Sequence, residues 1–208
     1  GANGSGGQNQ NYSIDGGQTW VTGGMLPQTC CDPAMEWSVD GSVAYSATLG
    51  VVGGNLRATV FRSINNGMTW QGRVDVSSGS SDKEYIHVDR SLISPFSDNV
   101  YLTWHQGNTM FFSRSQDQAQ TWSIPVSFPL PVYPRGIGSD ITTDPNGNIY
   151  YFYPSLEGLN SRVVLLKSED AGVTWSAPIT VADLHGEFDF PVPSMESRRV
   201  FIYVAADV

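Results

Sequence analysis

Asp32, the pair Asp82 and Glu84, and Asp140 recur about one repeat apart along a chain of 208 residues. Each falls at or just before a segment that reads as the first strand of a repeated unit, so equivalent positions in successive units are expected to point at one axis. Carboxylates gathered on an axis have two chemistries. Their oxygens suit a hard cation such as Ca2+. Alternatively, their mutual repulsion raises one pKa above the rest and leaves an acid beside a base, which makes Asp82, Glu84 and Asp140 candidate catalytic groups. Taken singly, each carboxylate has the ordinary role of capping its own loop through backbone N–H groups. The recurrence of three is what marks the place.

Cations and rings fall near the same end of the repeats. Arg57 and Arg162 both stand thirteen residues before a repeated tryptophan, and Arg135 precedes the first strand of a later unit. Arg57, Arg135 and Arg162 are therefore the arginines best placed to face this end. Thr109 holds the equivalent place in the intervening unit. Tyr85, Tyr133 and Tyr153 supply phenols, and Trp104, His105, Tyr133 and Tyr153 lie near loops where exposed rings would stack on sugar faces. Connections between units also bring Cys30 and Cys31 with Asp32, Lys83 beside Glu84, Ser139 beside Asp140, and His185, Glu187 and Asp189 to this end.

Two interleaved repeats must position these residues. The first reads Ser13-Ile-Asp15-Gly-Gly17-Gln-Thr19-Trp20, then Ser63-Ile-Asn65-Asn-Gly67-Met-Thr69-Trp70, Ser115-Gln-Asp117-Gln-Ala119-Gln-Thr121-Trp122 and Ser168-Glu-Asp170-Ala-Gly172-Val-Thr174-Trp175. The tryptophans are 50, 52 and 53 residues apart. Asp or Asn accepts backbone N–H groups, Gly provides the left-handed residue of a tight turn, and Trp covers the hairpin base. Ala119 in place of glycine predicts a slightly different third turn. Flanking runs such as 57–61, 110–112 and 163–166 are β-branched and aromatic, as strands prefer.

The second repeat is a hairpin signature, seen in Val39-Asp40-Gly41 before Tyr45, in Asp89 to Tyr101, in Asp144-Pro-Asn-Gly147 before Tyr150, and more weakly in 192–201. Together the two repeats make a unit of four strands, A to D. Four-stranded units at this period predict an all-β chain, a β-propeller of antiparallel blades. Complete blades are expected at 30–77, 82–128 and 137–181 of a single domain spanning 1–208, with a half-blade C–D at 1–29 and a half-blade A–B at 188–208. The halves either close a four-bladed ring or belong to a segment of a larger, six-bladed propeller. Unpaired half-blades also invite self-association, since open strand edges accept partners.

The Ser-x-Asp-x-Gly-x-Thr-Trp turn resembles the Asp-box, or bacterial neuraminidase repeat. Four copies covering nearly all the chain resemble the sialidase superfamily of propellers. In that superfamily the turns lie opposite the active site. The resemblance implies a glycoside hydrolase with three clamping arginines (Arg57, Arg135, Arg162), a Tyr nucleophile among Tyr85, Tyr133 and Tyr153 activated by Glu84, and an acid/base among Asp32, Asp82 and Asp140. The Phe/Tyr-Arg-Ile-Pro motif of the family is absent, and its six blades exceed the four or so read here. Because a fold hosts many functions, three readings stand. One is a sialidase-like hydrolase. Another is a non-catalytic glycan-binding propeller using Asp32, Trp104, His105 and Tyr153. The last is a protein-interaction propeller using the Pro-rich stretch 127–134.

Composition narrows the partners. A formal net charge of −9, with two lysines and nine arginines, argues against nucleic acid and against anionic membrane surfaces. No apolar run approaches the roughly 18 residues that cross a membrane. The chain opens on Gly1 rather than Met, in a Gly- and Ser-rich stretch expected to be flexible. With the acidic, Lys-poor composition, this predicts a secreted or periplasmic protein whose partner is a glycan or other small molecule. The adjacent Cys30 and Cys31 are read as small turn residues, as a vicinal disulfide, or as bridges to other chains.

Overall fold

The computed structural model describes residues 7–185, 189–195 and 199–208. Glu187 and the Gly-rich opening at 1–6 lie outside the described residues. Three four-stranded antiparallel sheets follow one another along the chain. The first is β3 (Ala34–Trp37), β4 (Ala44–Val52), β5 (Asn55–Ser63) and β6 (Gln71–Asp75). The second is β7 (Asp82–Val88), β8 (Val100–Gln106), β9 (Thr109–Ser115) and β10 (Val126–Phe128). The third is β11 (Asp140–Thr143), β12 (Ile149–Pro154), β13 (Arg162–Ser168) and β14 (Ile179–Asp183). In each the spatial order is the sequence order, as in a propeller blade. A two-stranded sheet of β1 (Gln8–Tyr12) and β2 (Val21–Leu26) precedes them, and one of β15 (Asp189–Pro191) and β16 (Arg199–Phe201) follows. Among the described residues these two small sheets do not pair with each other.

The core lies between blades rather than within them. Tyr45, Val60 and Ala58 of the first sheet pack on Ile86, Leu102 and Trp104 of the second. The opposite face of the second sheet presents Tyr101, Met110 and Phe112 to Ile141, Tyr151 and Leu166 of the third. The middle sheet is therefore covered on both faces, and its strand β8 is buried from Val100 to His105. Each large apolar side chain buried this way contributes about 1.5–3 kcal/mol. The innermost strands β3, β7 and β11 touch in succession, which brings their N-terminal ends together.

The repeated turn is a closed hydrogen-bonded unit. In the fourth copy, Asp170 Oδ1 accepts from Thr174 N at 2.8 Å, and its Oδ2 accepts from Thr174 Oγ1 at 2.5 Å. Ser168 Oγ donates to Asp170 Oδ1 and accepts from Gly172 N, both at 2.8 Å. The first copy repeats this set through Ser13, Asp15, Gly17 and Thr19. These bonds to the charged form pull the Asp15 carboxyl down to about 2. Ala119 does not alter the third turn: its φ of 61° lies beside the 80° of Gly67 and the 84° of Gly172, and its N–H reaches Ser115 Oγ at 2.9 Å.

The motif tryptophans lean on the preceding blade. Trp175 meets Phe112 edge-on at 4.9 Å, and Trp122 packs on the core between the first two full sheets. Trp20 has no preceding sheet among the described residues and remains 66% exposed. The last strand is shorter than the apolar run 200–204 suggests. It ends at Phe201, and residues 202–208 leave the sheet.

Candidate functional site

Strand register identifies equivalent residues at the axial end. Glu36, His87 and Thr142 face Tyr45, Tyr101 and Tyr150, the recurring tyrosines of strand B. Counting back two positions pairs Ala34 with Ala47, Tyr85 with Thr103, and Asp140 with Phe152. Two residues earlier again stand Asp32, Lys83 and Gly138, all left-handed, with φ of 53°, 52° and 59°. The same kink thus recurs where each innermost strand begins. Residues 32–35, 83–85 and 138–139, joined by 203–204, line one cavity of about 420 Å3.

This register corrects the expectation that Asp32, Asp82 or Glu84, and Asp140 hold equivalent positions. Asp32 matches Lys83 and Gly138, Glu84 matches Pro33 and Ser139, and Asp140 matches Ala34 and Tyr85. Asp32 and Glu84 line the cavity, whereas Asp82 and Asp140 stand beside it. Among the described residues, no group of three or more His, Cys, Asp or Glu side chains is placed to hold a metal ion, so the Ca2+ expectation finds no ligand set there.

A β-bulge sets Glu84. Asp82 pairs with His105 and Tyr85 with Thr103, so Lys83 and Glu84 together oppose Trp104. Such a bulge re-aims side chains. Glu84 turns inward to 4% exposure, and neither carboxyl oxygen has a hydrogen-bond partner among the described residues. Burial, reinforced by the charges of Asp32 and Asp82, raises its pKa well above the ordinary glutamate value. The neutral acid is therefore favoured, with an O–H to donate.

Lys83 reaches across to the preceding blade, its Nζ 2.8 Å from Asp32 Oδ2 and 5.7 Å from the centre of the Tyr203 ring. Burial opposes its charge, but the hydrogen bond and charge of Asp32 outweigh burial and hold the ammonium above its usual pKa. Asp140 Oδ2 accepts Ala206 N at 2.7 Å, and its Oδ1 accepts Ile141 N at 2.8 Å. Burial still raises the Asp140 pKa against these bonds. Tyr85 is 41% exposed at the cavity, and burial, then the charges of Asp140 and Glu36, keep its phenol protonated.

The remaining predicted residues disperse. Trp104 is wholly buried and stacked on Phe111, with ring centres 5.6 Å apart, and Tyr153 is wholly buried with its hydroxyl toward Pro134 O. The expectation of exposed rings at Trp104 and Tyr153 therefore fails, because both fill inter-blade core. His105 is buried too. Its Nδ1 donates to Gly107 O at 2.7 Å, its Nε2 lies 4.0 Å from Asp82 Oδ2, and burial lowers its pKa. The three arginines do not converge. Arg57 donates to Leu56 O, Arg162 pairs with Glu157 at 2.7 Å, and Arg135 lines a separate 310 Å3 groove beside Phe128 and Tyr133.

Two contributors were not anticipated. Tyr203 lies so close over Gly138 that a Cβ there would come within 2.3 Å of its ring, and the Ala206 amide caps Asp140. The apolar run 200–204 suggests a continuous strand, which hides the turn of Tyr203 toward the axis. Alternation from Phe201, equivalent to Tyr150, was the available signal. Cys30 and Cys31 are bonded to each other and lead directly into Asp32.

No protein-family model matches the chain, nor does any curated protein. Solved structures do. A Dyadobacter fermentans protein described only as of unknown function is 16% identical, with 93% of this chain and 63% of that one covered at a TM-score of 0.59. NanB, solved with Optactamide, is 11% identical over 87% of this chain and 47% of its own, with a TM-score of 0.56. The α-L-arabinofuranosidase PaAbf62A from Podospora anserina, in complex with cellotriose, is 10% identical over 94% of this chain and 69% of its own, with a TM-score of 0.53. At these identities the likeness is one of fold. The chain spans less than two thirds of the Dyadobacter protein and about half of NanB.

Proposed function

We propose that the axial cavity is the site of a glycan-acting propeller that hydrolyses glycosidic bonds, with Glu84 as the proton donor. The observation that carries this reading is Glu84 itself, a residue lining a cavity built from three blades whose buried carboxyl has no partner among the described residues. General acids of glycoside hydrolysis need a pKa raised toward the working pH, and burial beside other carboxylates raises it. The Glu84 O–H proton passes to the glycosidic oxygen as its bond to the anomeric carbon breaks. Water then bonds to that carbon and returns a proton to Glu84. The fold likeness to PaAbf62A, named as an α-L-arabinofuranosidase, supports the substrate class.

The bonded Cys30 and Cys31 support a secreted or periplasmic setting, where disulfides persist. One observation favours a second reading, a glycan-binding module. Tyr85 and Tyr203 are 41% and 44% exposed at the cavity and offer ring faces to a sugar without any chemistry. Kinetics on Glu84→Gln separates the two. Turnover lost by about 10²–10⁴-fold with affinity kept supports the hydrolase. Binding by the wild-type protein with no turnover on any glycoside leaves the module.

A further inference from the structure

We infer that the axial cavity selects uncharged glycans and rejects those bearing a carboxylate, so that sialosides and uronides are not its ligands. This deepens the glycan reading above and rests on it. Among the described residues lining the cavity, Lys83 is the sole cation. Its ammonium is already engaged, hydrogen-bonded to Asp32 at 2.8 Å and set over the Tyr203 ring. An incoming carboxylate can take one of the remaining Lys83 N–H groups only by lying beside that aspartate, with Asp82 and Asp140 close by. Like charges at such range repel, in surroundings that water and salt screen only in part. The three arginines suited to grip an anion are held elsewhere, Arg162 by Glu157 and Arg135 in its own groove.

The same lining suits a neutral sugar. Glu84 lines the cavity as well, its unpartnered carboxyl buried just behind the wall. Ser139 adds a hydroxyl. Pro33, Met35, Tyr85 and Tyr203 provide apolar surface for the C–H face of a pyranose or furanose ring.

The test is titration of the whole chain with matched oligosaccharides. Neutral galacto-, xylo-, arabino- and gluco-oligosaccharides are compared with their sialyl- or glucuronyl-terminated counterparts. The expected result is saturable binding of at least one neutral series, with its acidic counterpart at least tenfold weaker. Salt supplies a measurement on the unaltered protein. Raising ionic strength from about 0.05 to about 0.5 M should narrow that gap by screening the repulsion while leaving the neutral affinity nearly constant. Asp32→Asn frees Lys83 and should raise affinity for the acidic ligand about tenfold. An acidic oligosaccharide that binds the wild type as tightly as its neutral counterpart overturns the inference and leaves the glycan reading intact. Binding of neither class by folded protein overturns both.

Discussion

Lys83 Nζ stands 2.8 Å from Asp32 Oδ2, an ion pair that ties the axial ends of two neighbouring blades at two left-handed residues. Each side chain is about one third exposed, so the pair lies in water-screened surroundings at the cavity wall. Pairs of this kind stabilise by about 1 kcal/mol or less. Lys83→Met should therefore shift urea unfolding by no more than about 1 kcal/mol, yet it leaves Asp32 uncompensated near Glu84 and should weaken binding of any ligand that Lys83 orients. A loss of several kcal/mol would mean that the pair organises the blade interface rather than the cavity.

Glu84 sets a pH dependence whose sign is fixed. Its carboxyl is raised in the folded state above the ordinary value of 4.5, so the folded protein holds a proton that the unfolded chain releases. Stability from this group is complete below the unfolded value and falls as pH rises through the folded value. The Glu84→Gln variant removes that term. Thermal unfolding of the two proteins, compared across pH 4 to 9, should show wild type losing ground to the variant as pH rises. A parallel pair of curves would place Glu84 in an ordinary solvated environment. Asp15, lowered to about 2, acts in the opposite sense, its stabilisation being present above the ordinary 3.8 and lost as pH falls toward 2.

Gly172 is not interchangeable with alanine, although Ala119 fills the matching turn. Gly172 has φ of 84°, and a Cβ there would come within 2.2 Å of the Phe112 ring. Gly172→Ala should therefore cost about 1–3 kcal/mol in chemical denaturation, from overpacking and backbone strain together. Ala119→Gly at the matching turn removes a buried methyl group and should change stability by less than about 1 kcal/mol, because the left-handed conformation is already occupied.

Tyr203 forms a wall of the cavity over Gly138 and Lys83. Tyr203→Ala removes ring surface from the ligand and should raise KM about tenfold with little change in kcat, the pattern of lost ground-state binding. Tyr203→Phe keeps the ring and should preserve most of that affinity. Equal losses in both variants would assign the effect to the hydroxyl.

The blades were legible because two turn chemistries repeat. The Ser168–Asp170–Gly172–Thr174 set and its copies fix where strands C and D reverse, and Asp144 with Gly147 fixes an A–B hairpin in the same way. The axial end was legible as a place, since Asp32 and Glu84 do line the cavity. Its register was not. Counting residues cannot reveal that Lys83 and Glu84 share one partner across a bulge, which moves Glu84 inward and leaves Tyr85 outward. Burial was misjudged at Tyr153, which lies on the alternating buried face of β12, and at Trp104 for a related reason. Strand β8 is covered on both faces, so alternation does not separate solvent from core there. The arginines matched in distance from the tryptophans, but that distance fixes position along a strand and not the direction of a long side chain.

Hydrolysis of a panel of fluorogenic glycosides by wild type and Glu84→Gln, alongside direct binding of the best substrate to both, tests the account at its centre. The account predicts turnover of a neutral glycoside by wild type, a loss of about 10²–10⁴-fold in the variant with affinity retained, and an alkaline limb in the wild-type pH profile that the variant lacks. Equal turnover by the two proteins would contradict it, as would a folded wild type that cleaves nothing in the panel.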